Sequence, residues 1–199
     1  MSLLRDFKPA LLFLARFLLV YVVGNVAYGI YIESFGDRAD AVTRIVTEHT
    51  SALVSAVGED TNVRDNPGSP TVLLNNTSGI VLRVYEGCNG LNVMIVFVAF
   101  LVAFGGPVKT MAWFIPAGLV IIHLFNLLRI GLLYYVATHF ERYFYFFHKY
   151  LFTAILYAVV FGLWVIWIRM ARIIMPIRIG IIMISHLFSF KGTAGPLFS

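Results

Sequence analysis

Long, predominantly apolar runs cover four parts of the chain: Pro9 to Ile32, Cys88 to Gly105, Met111 to Val136 and Tyr143 to Ile168. Each approaches the roughly 20 residues a helix needs to cross a bilayer, so each predicts a membrane span. Between the first two runs the pattern changes. From Ala39 to Val57, Ala41, Val42, Ile45, Val46, Leu53, Val54 and Val57 recur at helical spacing. That predicts an amphipathic helix lying at the membrane surface. "GEDTNVRDNPGSP" reads as a polar loop with Pro and Gly breakers. "TVLLNNTSGIVLRVYEG" places two β-branched runs around an Asn-Asn-Thr-Ser-Gly turn, the pattern of a hairpin leading straight to Cys88. After Arg169, "MARIIMPIRIGIIMISHLFSF" is apolar but short, and Pro176 and Arg178 interrupt it. It is expected as a C-terminal interfacial helix rather than a fifth span.

The architecture expected is an all-α polytopic membrane protein forming one membrane domain over residues 1–199. About four transmembrane helices carry an extracytoplasmic segment, residues 33–87, with an amphipathic helix and a β-hairpin, and a cytoplasmic tail, residues 169–199. Composition agrees. Of 199 residues, 60% are hydrophobic and only 13% charged, more apolar surface than a soluble domain of this size could bury. The first run is too long for a signal-peptide core and no small-residue cleavage site follows it, so it is expected to be a retained anchor.

The net charge is +5, and most of the positive residues flank the apolar runs, a pattern of membrane orientation rather than nucleic-acid contact. Arg5 and Lys8 precede the first run, Lys109 lies in the turn between the second and third, and Arg169, Arg172 and Arg178 follow the fourth. All fall on one side if the N-terminus is cytoplasmic. Residues 33–87 then lie outside, and the plasma (inner) membrane is the expected location.

The single cysteine excludes an internal disulfide and a CxxC metal site. No ligand pair has useful helical spacing, so neither metal nor other cofactor is expected. Ionisable groups within apolar runs are costly and need a reason. Cys88 opens the second run at its outer end. Arg129 lies six residues before Tyr135, about 9 Å below the outer end of the third run at 1.5 Å per residue. His148 occupies the first turns of the fourth. The orientation derived from lysine and arginine alone puts all three at one depth.

Singly, each has an ordinary explanation. A membrane cysteine fills space like a small apolar residue, an arginine snorkels, and His148 sits among Tyr143, Phe144, Tyr145, Phe146 and Phe147, which resemble an interfacial aromatic belt. Together, thiol, imidazole and guanidinium are the parts of nucleophilic acyl transfer. His148 would take the proton from Cys88, whose ordinary pKa of about 8.5 leaves little thiolate at neutral pH. Arg129 would stabilise thiolate or oxyanion. Asn126, three residues before Arg129, could orient the guanidinium. Asn92 shares a helical face with Cys88 at i+4, and Asn89 adjoins the thiol. His139, in "ATHFERYFY", is the rival to His148. His123, about 18 Å below the outer end, is expected to be too deep to meet Cys88, while His49 and His186 are expected at the surface. Glu86 would disfavour a nearby thiolate, so a structural or substrate-facing role is expected of it.

"EGCNGLNV" around Cys88, "NLLRI" with Asn126 and Arg129, and His148 in "HKYLF" resemble the exosortase/archaeosortase family of membrane-embedded cysteine transpeptidases, over roughly Thr71 to Trp167. The chain resembles the shorter members. The family's glycine four residues after the histidine is Phe152 here. The resemblance implies a catalytic triad of Cys88 (nucleophile), Arg129 (thiolate and oxyanion stabiliser) and His148 (general base and acid). It implies as partners proteins ending in a short motif, a hydrophobic helix and a basic tail, cut through an acyl-enzyme on the outer surface of the membrane and passed to an acceptor. Two other readings use the same residues differently. One is a membrane cysteine acyltransferase with a lipid donor, and the other is a non-catalytic accessory subunit in which Cys88 is incidental.

Overall fold

The computed structural model describes residues 7–189, with side chains as far as Arg172. Helix α1 spans Lys8–Glu33, and α2 spans Ala41–Ala56. Three strands follow: β1 (Thr61–Asp65), β2 (Thr71–Asn76) and β3 (Gly79–Tyr85). A 3₁₀ turn, Glu86–Cys88, leads to α3 (Leu91–Phe104) and then α4 (Val108–His139). After a second 3₁₀ turn, a short α5 (Phe144–Phe146) and a π-helical turn (Phe147–Leu151), α6 runs from Phe152 to Ser189.

Among the described residues, three helical stretches are long and apolar enough to cross a membrane: Lys8–Glu33, Val108–His139 and Glu141–Arg172. The expected second span is shorter than its apolar run. Gly90 adopts φ 86°, which ends the preceding turn, and α3 keeps 14 residues. At 1.5 Å per residue it is about 21 Å long, less than the hydrocarbon core. The segment after Arg169, expected as a separate interfacial helix, is instead the unbroken continuation of α6 to Ser189. Arg5, the side chains of Arg178 and His186, and the end of the tail (190–199) lie outside the described residues.

The hairpin forms as expected, with Val72 opposite Val84 and Leu74 opposite Leu82, and a bulge after Leu74. The polar loop does not remain a loop. Thr61–Asp65 pairs antiparallel with β2, giving a sheet of order β1-β2-β3. Asp40 caps α2, accepting from the backbone N–H groups of Val42 at 2.9 Å and Thr43 at 3.0 Å. This helix does not lie free at a surface. Its Val46, Thr47, Thr50 and Val54 are buried between the sheet and α4. The hydroxyls on that side bond back along the helix, Thr47 to the Thr43 carbonyl and Thr50 to the Val46 carbonyl, each at 2.8 Å. Their polarity is thereby satisfied within α2.

Two apolar cores result, and α4 serves both. Its first half contributes Phe114 and Ile122 to a core with Phe97 of α3 and Val160 and Trp167 of α6. Its second half, from Leu127 to Val136, is sheathed by α2 and the sheet in a core with Val54, Leu74, Leu82 and Val84. Cys88 belongs to the second core. The expected span ended at Val136, with Arg129 about 9 Å below its outer end. Instead α4 continues ten residues, about 15 Å, past Arg129 to His139. No residue of α1 is buried. It touches the rest through Phe13, whose ring centroid lies 5.6 Å from that of Phe100, and through Gly24, packed on Ile95. Leu19, Val23 and Ile30 on its other sides are exposed, as a lipid-facing helix requires.

Candidate active site

The backbone around Cys88 is set by three residues with different tasks. Tyr85 ends β3 in extended conformation, and the chain then tightens into the 3₁₀ turn. The Tyr85 ring lies over Gly87, where a Cβ would come within 2.3 Å of ring carbon Cε2. Gly90 turns the chain through the left-handed region, and a Cβ there would stand 3.2 Å from the Asn126 side-chain Cγ.

Asn89, between them, is fully buried. Its Oδ1 accepts from the Leu91 N–H at 2.9 Å, and its Nδ2 donates to the Tyr28 hydroxyl at 3.1 Å and to Thr43 Oγ1 at 3.2 Å. Tyr28 donates in turn to the Glu86 carbonyl at 3.1 Å. One amide thus ties the cysteine turn to α1, α2 and α3, with donors and acceptors matched.

The expected residues meet, except one. Cys88 Sγ lies 3.8 Å from His148 Nε2, within hydrogen-bond range for sulfur. The Arg129 guanidinium is close enough for its charge to act on Cys88, His148 and Tyr85. Its Nε is buried and has no hydrogen-bond partner among the described residues. Asn126 does not orient this guanidinium. Its Nδ2 donates to the backbone carbonyl of Cys88 at 2.9 Å, while its Oδ1 is also buried without a partner. Asn92 is exposed. The i+4 relation to Cys88 fails because the helix begins only at Leu91, after the left-handed Gly90.

His148 sits in the π-helical turn Phe147–Leu151, a one-turn widening often found at functional positions. The Thr153 hydroxyl donates to the His148 carbonyl at 3.2 Å, satisfying a group the widened turn frees. The imidazole stacks on Phe144 with centroids 5.7 Å apart and planes 12° from parallel. Phe152, at the position of the family's glycine, is buried in the same core as Cys88. His139 is held elsewhere. It is exposed, its ring stacks on Tyr135 at 4.4 Å, and its Nδ1 pairs with Thr138 Oγ1 at 2.8 Å. His123 meets not Cys88 but His49, ring nitrogens 3.1 Å apart.

The pattern reading missed Tyr85. The charge of Cys88, followed by burial, pushes its phenol above the ordinary range. A phenol that stays protonated beside a sulfur is a hydrogen-bond donor for the thiolate. The signal available was an aromatic hydroxyl three residues before the only cysteine, at a strand end.

Fold and site together define a multi-pass membrane protein with a thiol, an imidazole and a guanidinium converging at the edge of the second core. The family model for the transmembrane exosortases matches residues 4–168. The chain belongs to that family. No curated protein and no solved structure matches it.

Proposed function

We propose that the protein is a membrane thiol transpeptidase that removes a C-terminal sorting signal from proteins bound for the cell surface. The observation that carries this reading is the 3.8 Å approach of Cys88 Sγ to His148 Nε2 beside Arg129.

His148 Nε2 takes the thiol proton, and the thiolate attacks the carbonyl carbon of the scissile peptide. Negative charge moves to the carbonyl oxygen, where Arg129, with its unpartnered Nε, supplies donors. The tetrahedral intermediate collapses with cleavage of the C–N bond. The leaving amine takes the proton from His148, and a thioester on Cys88 remains. An acceptor nucleophile then gives its proton to His148, attacks the thioester and releases the Cys88 thiolate, which takes the proton back from His148. The hydrophobic helix of the signal lies in the bilayer, and the bond just outside it reaches Cys88 at the outer face. The active centre is accordingly extracytoplasmic.

The test is mass analysis of the species trapped on Cys88 in membranes containing a processed reporter. A thioester to the reporter's new C-terminus supports the reading. A fatty acyl group on Cys88 replaces it with lipid acyl transfer, and reporter processing unchanged in Cys88→Ala removes catalysis at this thiol altogether.

A further inference from the structure

Strand β3 is an edge. The sheet order leaves its second side without a strand, and from Ile80 to Val84 no backbone group bonds to any described residue beyond β2. Every second residue on an antiparallel edge strand points its N–H and C=O outward, and natural proteins cover or blunt such edges. Here the first part of the strand, Gly79–Val81, opens on a cleft of about 680 Å³. Gly79, Ile80 and Val81 form one wall, and Ala137, Arg142 and Phe144 belong to the other. Two connections join this cleft to the thiol. β3 runs into the turn that carries Cys88, and Phe144 of the opposite wall is the ring on which His148 stacks.

We propose that the free edge of β3 binds the extended polypeptide segment immediately upstream of the cleaved bond, as a fourth strand. This rests on the transpeptidase reading. It fixes the direction of the substrate. The upstream segment approaches the thiol with its C-terminal end, since the hydrophobic helix lies downstream, and β3 also runs toward Cys88. The added strand is therefore parallel to β3. Ile80–Val84 offers about 16 Å of edge at about 3.3 Å per residue. Recognition is then largely through the main chain, with Ile80 exposed and charges of both signs, Glu141 and Arg142, along the cleft. Such a site accepts many side chains at alternate positions while holding the carbonyl carbon in register with Cys88.

The experiment uses a secreted reporter carrying a C-terminal tail that the wild-type protein processes in a Cys88-dependent manner. Proline is placed in turn at successive residues upstream of the cleaved bond. Proline removes one N–H, so processing should fall about tenfold at every second position and change little between them. In a Cys88→Ala background, Arg83→Cys and Val81→Cys are paired with single cysteines in the same segment. Moving from residue 83 to residue 81 should shift the preferred disulfide partner two residues further upstream.

A flat proline profile, or a shift in the downstream direction, overturns the parallel edge pairing while leaving Cys88-dependent processing intact. Absence of any Cys88-dependent processing overturns the transpeptidase reading and this proposal with it.

Discussion

The side-chain amide of Asn126 holds the backbone carbonyl of Cys88 at 2.9 Å, and its Cγ occupies the space a Cβ on Gly90 would need. Cys88 is thus positioned through its own main chain, from a neighbouring helix, one turn before Arg129 on that same helix. Asn126→Leu should leave the protein inserted but lower processing at least tenfold. The lost donor strands a buried carbonyl, at a cost of about 1–3 kcal/mol. Processing at matched membrane levels checks this, and an unchanged rate would mean the turn is fixed by Asn89 and Gly90 alone.

Tyr85 leads to a prediction about pH. The charge of Cys88, and then burial, push its phenol above the ordinary range, so near neutral pH its hydroxyl is available to the thiol as a donor. A neutral donor favours the thiolate, so removing it disfavours the charged form. In Tyr85→Phe the midpoint of iodoacetamide alkylation of Cys88 should move to higher pH. The measurement is alkylation rate against pH for both proteins in membranes. A midpoint that stays in place or moves down excludes the Tyr85 hydroxyl as the donor.

Arg129→Lys should lose most activity with insertion intact. Lysine keeps the charge but replaces a planar fork of donors with a single ammonium on a flexible stem. In the proposed reaction Arg129 serves groups on two elements, the Cys88 turn and the π turn of His148. A Lys variant with full activity would reduce the role of Arg129 to charge alone.

The sheet and α2 should face outward from the cell. Lys109 lies at one end of α4 and the three-stranded sheet packs near the other. With the inner side marked by Lys109, Arg169 and Arg172, the sheet falls outside. Ser69→Cys in a Cys88→Ala background should react with an impermeant maleimide on intact cells. Reaction only after access to the cytoplasm would reverse the orientation and put the active centre on the inner face.

What was legible in the sequence was local. The turn chemistry of Asn75 to Gly79 and the helical period of Ala41 to Val54 each read correctly from a few neighbouring residues. What was not legible depends on partners distant in sequence. Thr61–Asp65 has no apolar alternation, and its strand exists because β2 supplies backbone partners. The period of α2 reveals an apolar side but not that the sheet and α4 cover it. Asn92 was misplaced because one left-handed residue, Gly90, breaks the helical phase between it and Cys88. His49 meets His123 only because α2 packs against α4. Asn126 was singled out by sequence, but its bond to the Cys88 carbonyl needed the approach of α3 to α4.

For the proposed proton acceptor the sequence left two candidates, and they stand in different places relative to the thiol. His148 Nε2 stands 3.8 Å from Cys88 Sγ, whereas His139 is occupied by Thr138 and stacked on Tyr135. A general base must reach its proton directly or through one water, and such contacts often tighten only when substrate binds. Phe152 does not disturb this arrangement. It is buried, and its ring packs 5.6 Å from that of Phe147, filling the core behind the π turn. His148→Ala should therefore abolish processing, and His139→Ala should leave it within about twofold, since a surface substitution away from the thiol costs little. A structural role for His148 predicts loss of the folded protein, so the comparison is made at matched membrane levels. His148→Gln, which keeps a polar side chain of similar reach but cannot accept the proton, should be as inactive as His148→Ala. Processing that survives in His148→Gln, or is lost in His139→Ala, assigns the proton to another group.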